Sequence, residues 1–125
     1  MTRARRIAAQ ARGRAGEGRA ALWLRLKGYR ILARDWRSPV GEVDVIARRG
    51  ATLVFVEVKA RPSLDEAARA VGQTQQRRIA RAAGVFWQAR PELVGCHLRF
   101  DAILIAPGRW PRHIIDAWRI EADTA

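Results

Sequence analysis

Apolar residues recur along this chain with two different periods, and the changes of period divide it into elements. From about Arg14 to Lys27 the residues are helix formers, with Ala20, Ala21 and Leu24 on one stripe and Gly28 as a stop. Tyr29 to Trp36 reads as a strand, followed by the turn residues Ser38-Pro39-Val40-Gly41. Glu42 to Ala47 and Leu53 to Ala60 read as two strands. Arg48-Arg49-Gly50-Ala51 joins them, a connection short enough for an antiparallel hairpin. After Arg61-Pro62-Ser63 and a polar stretch of no clear period, a helix is predicted from about Thr74 to Ala89. Its inward stripe is Ile79, Ala82, Ala83, Phe86 and Trp87, with Arg77, Arg78 and Arg81 outside. Pro91 and Gly95 close it, Leu98 to Ala106 is an apolar strand, Pro107-Gly108 a turn, and His113 to Trp118 a last short strand. The order predicts an α/β layer fold, a mixed sheet of about five strands flanked by two main helices.

A chain of 125 residues that is 49% apolar is long enough to bury one core, and no linker or repeat divides it. No apolar run approaches the roughly 18–20 residues of a transmembrane helix. The single cysteine, Cys96, excludes an internal disulfide, and no Cys/His spacing forms a structural zinc cluster. Charge changes the picture more: 24 Lys and Arg face 12 Asp and Glu, a net +12, which points to a polyanionic partner, nucleic acid before anionic membrane. The start carries Arg3, Arg5, Arg6, Arg12, Arg14 and Arg19 against one acid, Glu17. Ile7-Ala8-Ala9 is interrupted at Gln10, leaving no hydrophobic region for a secretory signal, and the serines of a transit peptide are missing, so a cytoplasmic location is expected. Residues 1–12 read as a basic, frayed N-terminal arm that contacts phosphates, 13–120 as a single domain, and 121–125 as a C-terminal tail.

The candidate chemistry lies on the hairpin. Alternation puts Val54, Val56, Val58 and Ala60 on one face of the second strand and Leu53, Phe55, Glu57 and Lys59 on the other. In the first strand Glu42 and Asp44 share a face with Ile46, opposite Val43 and Val45, and a tight hairpin brings Asp44 near Glu57. Converging, partly buried carboxylates need compensation, by a proton, by the lysine or by a divalent cation. Hard oxygen ligands with room for water and phosphate suit Mg²⁺ or Mn²⁺. Such an ion polarises a phosphodiester, and a neighbouring ammonium orients water or offsets transition-state charge. Lys59 is one of only two lysines, with Lys27, in a chain whose other basic residues are all arginine. Glu17, on the stripe of Ala20, Ala21 and Leu24, either joins the same site or is a first-turn acid balancing the helix dipole. The bland alternative for the hairpin is a surface ribbon with cross-strand ion pairs worth about 0.2–1 kcal/mol each.

The ordered set Gly16-Glu17-x-x-Ala20, Gly28-Tyr29-x-Ile31-Leu32, Gly41-Glu42-Val43-Asp44-Val45-Ile46, Phe55-Val56-Glu57-Val58-Lys59-Ala60-Arg61 and Arg99-Phe100-Asp101 resembles the YraN-like (UPF0102) family of small bacterial proteins. That family resembles a branch of the restriction-endonuclease-like superfamily, distantly similar to Holliday-junction resolvases. The resemblance implies a restriction-endonuclease-like core. Asp44, Glu57 and Lys59 would form a D…E-x-K site, Glu17 the helix-borne acid that completes it, and Mg²⁺-dependent hydrolysis of DNA phosphodiesters, possibly branched, the reaction. Asp44, Glu57 and Glu17 would be the metal ligands. Two departures stand out: Gln75 occupies a position where the family usually shows a lysine, and the loop from Pro62 to Val71 lacks a usual Phe-Gly.

Arg3, Arg5, Arg6, Arg12, Arg61, Arg77 and Arg78 are the candidate nucleic-acid contacts, with DNA favoured over RNA. Asp101 is expected in an ion pair with an arginine rather than on a metal, and His97 and His113 are expected to be structural. Trp23 and Trp87 are expected to pack, and Trp36 and Trp110 to anchor loops, with base stacking as the alternative for these two. Two functional alternatives remain beside the nuclease: a nucleic-acid-binding module without turnover, and a basic RNA- or ribosome-associated adaptor. Symmetric cutting of a four-way junction would require two active sites, hence a homodimer.

Overall fold

The computed structural model describes residues 2–119; the side chains of residues 8–12 and 73–74 are outside the described set. The elements run α1 (Arg3–Leu26), β1 (Arg30–Ser38), β2 (Gly41–Arg49), β3 (Thr52–Ala60), α2 (Leu64–Arg69), α3 (Gln73–Gln88), a single 3₁₀ turn (Pro91–Leu93), β4 (His97–Ile105) and β5 (Arg112–Trp118). The strands form one five-stranded sheet in the order β1-β2-β3-β4-β5. Only β3 and β4 are parallel, and α2 and α3 form the crossover between them. The sheet is mixed, as its sequence predicts.

Each face of the sheet carries its own core. Against α1 lie Val45, Ala47, Val54, Val56, Ile103 and Ile105, packed on Ala20 and Leu24. Against α3 lie Val43, Ile46, Leu53, Phe55 and Phe100, packed on Ile79, Ala82, Ala83 and Phe86. The predicted stripes of both helices are the buried ones, and Arg77, Arg78 and Arg81 are exposed. On the α3 side a chain of rings runs from Trp36 of β1 through Phe86, Phe55 and Phe100 to Trp118 of β5, and so ties α3 to both edges of the sheet.

Two elements differ from the sequence expectation. The basic arm is helical: α1 starts at Arg3, where the Thr2 hydroxyl accepts the Arg5 N–H (3.2 Å), rather than near Arg14. Alanine and arginine are strong helix formers, and the packed half from Gly16 onward supplies a nucleus from which the helix propagates outward. The polar stretch after β3 holds α2, capped by Ser63 on the Glu66 N–H (3.1 Å), with Ala67 as its buried residue. One turn and a half is too short for an apolar period to show. The C-terminal tail, residues 121–125, lies outside the described residues. No helix among the described residues is long and apolar enough to cross a membrane.

Candidate functional site

Strands β2 and β3 fork. Their ladder runs from Arg49↔Thr52 to Val45↔Val56, yet β2 stays paired with β1 as far as Gly41, and β3 with β4 as far as Ala60. In the fork the Asp44 carboxylate takes over from the backbone, accepting the Val58 N–H at 2.7 Å. The divergence has a local cause. Val45 belongs to the α1 core but Val43 to the α3 core, so the alternation of β2 breaks at Asp44. The partner strand breaks with it. Between Arg34, paired to Val45, and Trp36, paired to Val43, stands Asp35 in the left-handed region (φ 48°). Aspartate is one of the few side chains that tolerate that conformation. Asp44 therefore does not share a simple face with Ile46, as strict alternation predicts; it lies in the cleft of the fork.

The alternation predicted for β3 holds. Val58 and Ala60 pack on the α1 side, so Glu57 and Lys59 point to the α3 side. There the Lys59 ammonium donates to the Gln75 amide oxygen of α3 at 2.7 Å and lies 3.4 Å from the Glu57 carboxylate. Glu57 is fully buried, and neither of its carboxylate oxygens has a hydrogen-bond partner. A cleft of about 120 Å³ opens at the fork, lined by Glu42, Asp44, Gln75, Arg78 and Ile79; Asp44 faces it, and Glu57 lies buried behind the lining. Close backbone approach shapes both flanks. A Cβ on Gly41 would sit 2.5 Å from the Arg78 carbonyl oxygen, and one on Gly16 would sit 2.9 Å from the Ala60 methyl. Gly16 thus brings its neighbour Glu17 down onto the sheet.

The electrostatics of this end of the sheet are one-sided. Burial, and then the charges of Asp44 and Asp35, push the Glu17 pKa up to about 7 against the pull of Arg34 and Arg37. One Glu17 oxygen is buried without a hydrogen-bond partner. Burial likewise raises Asp44, in spite of the Val58 N–H and the Lys59 charge, and burial raises Glu57 in spite of Lys59. The structure thus brings Asp44, Glu57 and Lys59 together and sets Glu17 against Asp44 from the α1 side. Glu17 and Glu57 approach from opposite faces of the sheet. Among the described residues no three Asp, Glu, His or Cys side chains converge closely enough to enclose a metal ion. A pair suffices for Mg²⁺, which is held by one or two carboxylates and completes its shell with water and phosphate. Orphaned oxygens of Glu57 beside Asp44 are hard donors that fit such an ion.

Arg78 lines the cleft, Arg77 precedes it on α3 and is exposed outside the lining, and Arg61 is exposed two residues beyond Lys59. Arg3, Arg5 and Arg6 are exposed at the far end of α1, roughly 15–20 Å along the helix from Glu17 at about 1.5 Å per residue. The Arg12 side chain lies outside the described residues. Asp35 was not legible as a member of this cluster; the pattern of β1 gives no sign of its backbone break. Asp101 has the ion pair expected of it, with Arg99, at 2.9 Å.

The model of the uncharacterised family UPF0102 matches residues 16–105, a span that contains Glu17, Asp44, Glu57, Lys59 and Asp101. The chain belongs to the UPF0102 family. A UPF0102 protein of Paramagnetospirillum magneticum is 56% identical over 118 residues, covering 91% of this chain and 92% of the relative. A UPF0102 protein of Maricaulis maris is 50% identical over 125 residues, covering 100% of this chain and 97% of the relative. One from Nitrobacter winogradskyi is 55% identical, covering 90% and 96%. The likeness to UPF0102 therefore extends over whole chains.

Proposed function

We propose that this UPF0102 protein is a metal-dependent DNA phosphodiesterase of the restriction-endonuclease-like kind, with its active site in the fork between β2 and β3. The observation that carries the reading is Glu57, fully buried with no hydrogen bond to either oxygen and only the Lys59 ammonium, 3.4 Å from one of them, to balance its charge near Asp44. A structural acid in that position would be hydrogen-bonded, because burying a carboxylate without partners costs several kcal/mol or forces its protonation. Asp44 and Glu57 are the residues to hold Mg²⁺ or Mn²⁺, with Glu17 as an acid acting on Asp44. When bound, the ion polarises the phosphodiester and offsets the charge gathering on it. Asp44 is oriented for this by the Val58 N–H, which fixes one carboxylate oxygen and leaves the other toward the cleft. Lys59 closes over Glu57 and is held by Gln75; its flexible stem lets the ammonium swing toward a phosphate oxygen, whose gathering negative charge it offsets, or toward an attacking water, which it orients by donating to its oxygen. Arg78 lines the cleft, and Arg61, exposed two residues beyond Lys59, adds positive charge for the strand.

A second reading, a nucleic-acid-binding module without turnover, draws support from Lys59 itself, since its ammonium is already engaged by Glu57 and Gln75. Cleavage of a labelled four-way or flapped DNA with Mg²⁺ separates the two. The nuclease reading expects cutting by the wild type, and loss of at least about 100-fold in Asp44→Asn and in Lys59→Ala, with thermal stability near wild type. Equal cutting by wild type and both variants, or none by any, removes it.

A further inference from the structure

Trp110 is the most exposed large apolar side chain among the described residues, at 80%. Its exposure is built rather than incidental. Ala106-Pro107-Gly108-Arg109 closes a turn with the Arg109 N–H on the Ala106 carbonyl (3.3 Å) and Gly108 at φ 70°, the Pro-Gly arrangement of a type II turn. Pro111 follows directly and limits the Trp110 backbone to extended conformations. From below, Trp23 of α1 supports the ring, with centroids 5.8 Å apart and planes inclined by 36°. One turn earlier on the same helix face, Arg19 reaches the Arg109 carbonyl at 3.4 Å.

The surroundings select the occupant. Arg109 and Arg112 flank Trp110 in the chain, Arg19 reaches the turn from α1, and no acid occurs from Ala102 through Ile115. A net charge of +12 and this cationic rim oppose a second copy of the chain and favour an anionic strand. The turn also starts at the active end of the sheet. β4 pairs with β3 to Ala60↔Ile105, and the Arg61 N–H donates to the Ile105 carbonyl at 3.0 Å. A rigid, exposed indole among arginines, about 10 Å along α1 from Glu17, is the arrangement by which proteins hold unpaired bases. Trp36, by contrast, is half-buried against the α3 core, edge-on to Phe86 at 5.4 Å.

From this geometry we infer that Trp110 is a stacking platform for an unpaired nucleobase of DNA, with Arg19 and Arg109 on the adjoining phosphates, and that the protein selects DNA with a single-stranded segment, held over the α1 side of the sheet. The inference deepens the nucleic-acid reading of the site but does not require turnover. Anisotropy of a labelled oligothymidylate and of a blunt duplex of equal length, in EDTA at fixed salt, tests it without chemistry. Wild type binds the single strand more tightly; Trp110→Ala weakens that binding about tenfold, Trp110→Phe retains most of it, and duplex affinity is unchanged in both. Unaltered single-strand binding by Trp110→Ala, an equal loss on both DNAs, or no binding of the single strand by wild type overturns it. So does tighter Trp110-dependent binding of an oligouridylate. Failure to cleave any DNA, with the Trp110 effect intact, defeats the catalytic reading alone.

Discussion

Glu57 and Asp101 are the two fully buried charged residues among those described, they lie on the neighbouring strands β3 and β4, and the chain treats them in opposite ways. Asp101 is the hub of a closed network. Arg99 grips both of its oxygens at 2.9 Å, the Asp116 N–H donates at 2.9 Å, and His113 Nε2 lies 2.7 Å away. Lys27 in turn meets His113 Nδ1 at 2.6 Å, and since an ammonium only donates, the imidazole proton sits on Nε2 and points to Asp101. Arg99 also binds the Tyr29 hydroxyl at 2.6 Å. Burial would raise the Asp101 carboxyl, but the hydrogen bonds from His113, Arg99 and Asp116 outweigh it and hold the carboxyl below its usual value. Glu57 has one lysine, 3.4 Å from a single oxygen, no hydrogen bond to either oxygen and a pKa raised by burial. Where the protein needs a buried acid for its fold, it supplies every partner. At Glu57 it withholds them, which is what an acid kept for a ligand requires.

That contrast can be broken by mutation, and the largest effect is expected at the hub. Asp101→Ala leaves Arg99 facing a buried void and should cost about 3–5 kcal/mol of stability at pH 7, read from the urea midpoint. The hub's contribution has a definite pH sign. A lowered carboxyl pKa stabilises above the unfolded value, about 3.9, and that stability is lost as pH falls through the folded value, so the difference between variant and wild type should shrink in acid. Glu57→Gln should do the reverse: at pH 8 its stability stays at or above wild type, within about 1 kcal/mol, because a neutral amide relieves the unmet desolvation of the carboxylate. The smallest effect is expected at Glu17. With its pKa raised from 4.5 to about 7, the folded protein holds the proton more tightly, so stability present below about pH 4.5 is lost as pH rises toward 7. Glu17→Gln lacks that loss, and its Tm relative to wild type should therefore rise between pH 5 and pH 8. A flat difference would place Glu17 outside the cluster.

Much of this was legible in the chain. The valines at 54, 56 and 58 assign Glu57 and Lys59 to one face because β3 is regular, and the stripe of Ala20, Ala21 and Leu24 sets Glu17 against the sheet because α1 is regular there. What escaped is irregular. Paired breaks at Asp35 and Asp44 turn β2 over in mid-strand, and no period-two reading anticipates them, since a left-handed aspartate leaves no trace in hydrophobic pattern. The fork, the approach of Glu17 to Asp35 and the placing of Asp44 all follow from that kink. Gln75 was visible as a departure, but its contact with Lys59 depends on the angle at which α3 crosses the sheet.

Calorimetric titration of Mn²⁺ into the wild type, Asp44→Asn, Glu57→Gln and Lys59→Ala tests the central claim most directly. If the unpartnered carboxylates in the fork are kept for a cation, the wild type binds the ion, both acid variants lose at least about tenfold in affinity, and Lys59→Ala binds as well or better because the competing ammonium is gone. Equal Mn²⁺ binding by wild type and the two acid variants, or none by any of the four proteins, would contradict it.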